Sequence, residues 1–260
     1  MFTIRKEFFT KKRAENNQRS RWRHQFSVSK ESFLNMICKK NVCLVVCLVF
    51  AGFLAASAQS GIIPARKDGK PDNSPYRQMM AKIKAGDTTV DFVKFRAAYL
   101  DWTLDECNVS DAPNRDKMVE AFEAKDYKAA IPKALAVLEY EYANRGLHAA
   151  LAIAYKETGD AEKEKFHSEI AKKLFDGLLK SGDGLTPKTA YRVHSIREEY
   201  QVMSALGYKV ASQSLVFDKE YGVFDVLAGK NEAGKDGSFY FNITDVWVGS
   251  TSSRPCKQAK

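Results

Sequence analysis

The first sustained apolar signal is an uninterrupted run, VCLVVCLVFAGFLAA at 42–56, with Lys39 and Lys40 before it and Ala56, Ser57 and Ala58 closing it. Charged, then apolar, then small residues ending in A-x-A is the order of a secretory leader cut after Ala58, with Gln59 as the new terminus. The run's 15 residues fall short of the roughly 20 that a membrane-spanning helix needs, which favours cleavage over a retained anchor. Upstream, residues 1–35 are rich in Arg, Lys and Gln and have no apolar period, as in a disordered stretch or a reading frame extended past its true start. Translation from Met36 would make 36–58 a compact leader.

Past the leader, Gly61, Pro64, Gly69, Pro71 and Asn73 mark 59–73 as a flexible lead-in. Ser74 and Pro75 then read as an N-cap and first-turn proline, and Met79, Met80 and Ile83 recur at helical spacing until Gly86. A second helix is predicted over 89–102, with Phe92, Phe95, Ala98 and Tyr99 on one face, and a loop over 104–114. From 115 to 179 the pattern is helical, and the phrases KDYKAAI at Lys125 and GDAEKEK at Gly159 stand 34 residues apart, the period of tetratricopeptide repeats. Leu151, Ala152, Tyr155 and Gly159 fit the positions that such repeats fill with Leu, small, Tyr and Gly, whereas Glu164 departs from an expected Ala. Two such units need neighbouring elements to cover their ends.

The character changes at Ser181, where S-G-D-G forms a turn. Residues 190–194 read as a short extended piece, and Ser195 with Glu198 as a capping box opening a helix that stops at Gly207. Runs rich in β-branched and aromatic residues follow at 208–217, 223–229 and 239–248, with turns at 218–222 and 231–237. The expected fold is a single α+β domain over 74–248. Tetratricopeptide-like hairpins fill 74–180, a turn, helix and small antiparallel β-meander fill 181–248, and a disordered tail occupies 249–260.

Charge changes the picture less than its total suggests. The formal net charge is +9, but residues 1–58 hold eleven Lys/Arg against three Asp/Glu, leaving 30 and 29, a balance of +1, for the exported part. A near-neutral domain gives no reason to expect a nucleic-acid partner. Three of the five cysteines lie in the leader, so the exported part, with Cys107 and Cys256, is not a disulfide scaffold. Those two would pair in an oxidising compartment only if their Cα atoms came within about 7 Å, and the polar tail around Cys256 argues against it.

Several phrases together resemble a known family. Gly86-Asp87, Phe95-Arg96-Ala97-Ala98-Tyr99, Phe166-His167, Ser181-Gly182-Asp183-Gly184, Thr189-Ala190-Tyr191, Glu198-Glu199-Tyr200, Ser212-Gln213-Ser214-Leu215 and Phe224-Asp225-Val226 are similar to the bacterial domain-of-unknown-function family DUF4919, over about 76–248. The resemblance implies a secreted or periplasmic protein of Gram-negative, gut-type bacteria with a helical-repeat body and no assigned activity. His194, where an apolar residue is expected, and the stretch 102–114 depart from the pattern.

Candidate chemistry is sparse. His148 and His167 should lie on facing helices, and with Glu199 they could supply metal ligands or an acid/base pair. Their spacing matches no ligand motif, and packed, hydrogen-bonded histidines explain them better. Tyr127, Tyr155 and Tyr191 are candidates to line a binding groove, although tyrosines in helical hairpins more often pack. Phosphate loops and nucleophile elbows are missing, and no cofactor or metal site is read. The first expectation is therefore a non-enzymatic module that binds a peptide or envelope protein, and the second a cell-envelope hydrolase or metal-dependent enzyme built on His148, His167 and Glu199. N-terminal sequencing of the exported protein should read Gln59-Ser60-Gly61; a mature chain that keeps the apolar run would identify an anchor instead.

Overall fold

Helices in the N-terminal half, that at Arg115–Glu123 excepted, start on side chains that capture their free amides. The computed structural model describes residues 66–251 apart from Thr88 and 109–111, together with Cys256; the leader and its cut lie outside the described residues. Helix α1 (Pro75–Lys84) is capped by Ser74, which accepts from Arg77 N at 3.3 Å, and α2 (Phe92–Thr103) by Asp91, which accepts from Val93 N and Lys94 N. Two hairpins follow, α3 (Arg115–Glu123) with α4 (Tyr127–Leu138) and α5 (Arg145–Thr158) with α6 (Ala161–Leu179). The 34-residue spacing seen in the sequence recurs in conformation. Lys125 (φ 57°) and Gly159 (φ 83°) both adopt the left-handed turn conformation, and Asp126 and Asp160 after them cap α4 and α6.

Two apolar cores share α6. The first joins Tyr76, Phe95, Leu138, Leu151 and Leu174, with the Tyr76 ring stacked 5.4 Å from Phe95 and its hydroxyl accepting from Tyr142 N at 2.9 Å. The second joins Leu178, Tyr191, Val202, Met203, Leu227, Phe239 and Phe241. Leu174 and Leu178 are one turn apart on the same helix, so α6 is a wall of both.

After a 3₁₀ turn (Pro187–Thr189) come β1 (Tyr191–Arg192), α7 (Ile196–Ala205), β2 (Tyr208–Asp218), β3 (Gly222–Asn231), β4 (Asp236–Asn242) and α8 (Thr244–Thr251). The meander β2-β3-β4 is antiparallel as expected, but β1 pairs parallel with β4, giving a mixed sheet ordered β1-β4-β3-β2. The chain is α+β. The last strand is shorter than the apolar run 239–248 suggests, because Asn242 Oδ1 accepts from Thr244 N at 3.0 Å and turns the chain into α8. A bulge at Ala211 brings the β2 backbone so near Gly229 that a Cβ there would lie 2.2 Å from Lys209 O.

Beyond 248, the chain is tied to the rest of the molecule at Cys256. It stays helical to Thr251, and Cys256 is disulfide-bonded to Cys107 with Cα atoms 4.6 Å apart. The same corner holds part of the lead-in, where Lys67 N donates to Cys107 O and Arg66 to Asp105 and Asn108. Cys256, the loop residues Asp105, Cys107 and Asn108, and residues 66–68 thus meet at one place.

The capping box expected at Ser195 does not form. Ser195 is the N-cap of α7 but its side chain makes no cap hydrogen bond. Glu198 is engaged elsewhere. Its two oxygens accept from Arg96 Nη1 at 2.8 Å and Nη2 at 2.9 Å, and Oε2 also accepts from His194 N at 2.7 Å. Arg96 further donates to Arg192 O at 3.2 Å. Both partners are buried, at 3% and 6% exposure, so the pair joins α2 to β1 and α7 in a medium where charge is costly unless matched. Arg96→Met should lower unfolding free energy by about 3–5 kcal/mol, and the double change with Glu198→Met by less than either single one. Chemical denaturation would measure this; single losses below about 1 kcal/mol would show that the pair does not tie the halves together.

Candidate functional site

The hairpin of α5 and α6 brings His148 and His167 together, as their expected places on facing helices require. Their Nδ1 atoms are 3.0 Å apart, and His148 Nε2 lies 3.0 Å from Tyr142 O. A carbonyl only accepts, so His148 carries its proton on Nε2, and its bare Nδ1 accepts from His167 Nδ1–H. His167 Nε2 is then the unprotonated end of the chain. Tyr155 stacks on His167 at 5.5 Å, and Tyr142 meets His148 edge-on.

Burial, followed by the neighbouring His167, lowers the His148 pKa to about 3. Burial, followed by Lys163, lowers that of His167 to about 4. Both rings are neutral near pH 7, and they hydrogen-bond each other. Glu199 is buried on α7. Among the described residues the one set of three His, Cys, Asp or Glu ligand atoms within 4.8 Å of one another is Asp68, Cys107 and Cys256, whose sulfurs are bonded to each other. Glu199 therefore completes no ligand set with the two rings.

The tyrosines divide. Tyr155 and Tyr191 are both 5% exposed, the latter stacked 5.7 Å from Phe241. Tyr127 is half-buried on α4. They do not line a common groove, and two of them are core.

His194 was noticed only as a departure from an apolar pattern, and Arg96 not at all as a functional group. They wall a pocket of about 220 Å³ with Val93, Ala97, Ser181 and Arg192. His194 donates from Nε2 to Arg96 O at 3.1 Å and packs on Tyr99; burial, followed by Arg96, lowers its pKa to about 3. For Glu198, burial works to raise the pKa, but the Arg96 hydrogen bonds hold it below the ordinary carboxylate value. Arg192 is paired with Asp245 at 2.6 Å. The pocket is below the ~300 Å³ typical of ligand sites, and both of its guanidiniums are matched.

The sheet edge is different. Strand β2 is outermost in the four-stranded order and 11 residues long. Between Lys209 and Asp218 it has no charge and no proline, the devices that usually blunt an edge. Phe217 is 64% and Leu215 43% exposed, with Tyr200, Tyr221 and Val246 exposed nearby. Phe217 meets Trp247 of α8 edge-on at 5.7 Å. Sequence alternation alone could not single out this edge, since strand order depends on β1 joining the far side of β4.

The family model for Domain of unknown function (DUF4919) matches residues 66–248. The chain belongs to the DUF4919 family. No curated protein and no solved structure matches it. The match spans the helical hairpins and the sheet together, so this DUF4919 chain carries the histidine pair, the ion pair and the edge within one family unit. Among the described residues, no helix is long and apolar enough to cross a membrane.

The histidine pair predicts an acid response. Both folded pKa values lie below the unfolded value near 6.5, so below that pH the unfolded chain takes up protons that the folded one refuses, and stability falls as pH falls toward about 4. Each such group contributes a slope of about 1.4 kcal/mol per pH unit. Urea midpoints should drop steeply between pH 6.5 and 4, and the double change His148→Phe with His167→Phe should flatten the drop. Equal midpoints for the native protein at pH 7 and pH 5 would contradict the assignment.

Proposed function

We propose that this chain is a non-enzymatic interaction module, exported and freed of its leader after Ala58, that takes an extended protein segment along the free edge of β2. The observation that carries this is the long strand at the sheet's edge among the described residues, uncharged between Lys209 and Asp218 and with Leu215 and Phe217 in solvent. Unpaired backbone N–H and C=O groups along such an edge supply affinity, and alternate side chains supply selectivity. The occupant expected from the sequence, a peptide or envelope protein segment, is kept; the surface moves from a helical concavity to the sheet, because Tyr155 and Tyr191 are buried.

The Cys107–Cys256 disulfide supports an oxidising compartment, and so export. The conformational repeat at Lys125 and Gly159, each followed by an Asp cap, supports a tetratricopeptide-like ancestry for the hairpins. Their part is to hold the sheet. A metal-dependent or hydrolytic role for His148, His167 and Glu199 gains no support, since both nitrogens of His148 are engaged and Glu199 forms no ligand set with the rings.

Selection of a displayed random decapeptide library on the purified protein tests the surface. Segments with apolar residues at alternate positions should be enriched, and the enrichment should vanish with prolines placed in turn at Ser212, Gln213 and Ser214, at least one of which removes an outward amide without unfolding the sheet. Enrichment that survives in every folded proline variant would move binding away from β2.

A further inference from the structure

We infer that the strand taken by the β2 edge is β2 of a second copy, paired antiparallel about a twofold axis at Ser214; this rests on the strand-taking reading above. The register follows from the bulge. Val210 pairs with Gly229 and Ser212 with Ala228, so Ala211 is extra. Tyr208, Val210, Gln213, Leu215 and Phe217 therefore face the helices, and Lys209, Ser212, Ser214, Val216 and Asp218 face the other way. Lys209 and Asp218 are an odd number of positions apart and would lie on opposite faces of a regular strand. The bulge returns them to the same face, each four pairing positions from Ser214.

Two copies of β2 set antiparallel with Ser214 opposite Ser214 then match throughout. Lys209 of each meets Asp218 of the other on one face, and Val210 meets Phe217 on the other. Gln213 falls opposite Leu215, and Ser212 opposite Val216. Within one chain Lys209 stands directly opposite Lys230, a like-charge pair that is unfavourable. Lys230 is answered by Asp236 at 2.9 Å, whereas among the described residues Lys209 has no carboxylate partner. The second copy supplies one. The Asp218 Oδ1 is occupied by Glu220 N and Tyr221 N, which leaves Oδ2 for the incoming lysine. The interface is isologous and closed, so pairing stops at two, and a displayed peptide reaches the β2 edge only in competition with the second copy.

A cysteine on the axis tests both state and register. Light scattering should give a dimer mass for the purified protein at micromolar concentration. Under mild oxidation or with a short thiol cross-linker, Ser214→Cys should become a covalent dimer, while Ser212→Cys, on the same face but off the axis, should link far more slowly. Lys209→Asp should weaken dimerisation by about tenfold, with recovery on adding Asp218→Lys. A dimer in which the Ser214→Cys variant links no faster than the Ser212→Cys variant would overturn the register. A monomer that still enriches alternating peptides would overturn self-pairing and leave strand-taking intact, and a monomer that enriches none would overturn both.

Discussion

Arg96 lies on the same stripe of α2 as Phe92, Phe95 and Leu100, all of them buried. Once that stripe is covered, the guanidinium must find a carboxylate or prevent burial, because an unmatched charge in the interior is worth several kcal/mol against folding. Glu198 is the match, and it lies 102 residues away at the start of α7. Its position brings with it the His194 amide and, through Arg96, the Arg192 carbonyl, so the chain around β1 is held by this ion pair together with that of Arg192 and Asp245. The parallel pairing of β1 with β4 is supported by these ties. Two residues of strand could not hold such a register alone.

The other long-range ties act on different segments and need not compensate for it. Helix α6 carries both cores on one face, with Leu174 in the first and Leu178 in the second. The histidine pair joins the two helices of the same hairpin, from near the start of α5 to the middle of α6, with neutral hydrogen bonds. Because the His148 proton is committed to Tyr142 O, the pair has one workable protonation pattern near neutrality, which is a reason to see it as a structural clasp. The disulfide closes a loop of 149 residues in sequence separation, restricting the unfolded chain more than the folded one.

Local signals were legible and distant ones were not. Ser74 announced its helix because a cap is a contact between near neighbours, and the 34-residue spacing pointed to the two hairpins. Glu198 misled: three residues after Ser195 it satisfied the local pattern of a capping box, yet the stronger charge-assisted partner was Arg96. The signal for Arg96 was present, as a charge within an apolar stripe, but its partner could not be read from periodicity. His148 and His167 were placed on facing helices correctly, whereas the failure of Glu199 to join them is a matter of tertiary geometry. Cys256 looked loose because its neighbours are polar; the bond to Cys107 depends on where the loop after α2 comes to rest.

Rigidity and exposure are distributed unequally, and that distribution is the argument for where this protein acts. The helical part buries Tyr76, Phe95, Tyr142, Leu151 and Tyr155, and these groups serve packing. At the sheet's free side the economy reverses, with large apolar groups in solvent, a lysine facing a lysine and a long backbone edge without a charge in its middle. A bulge usually serves to spoil an edge for pairing. Here Gly229 accommodates it at close backbone approach, and its effect is to put the two end charges of β2 on one face. A defensive bulge would not need that placement, and an edge shaped to receive a strand would.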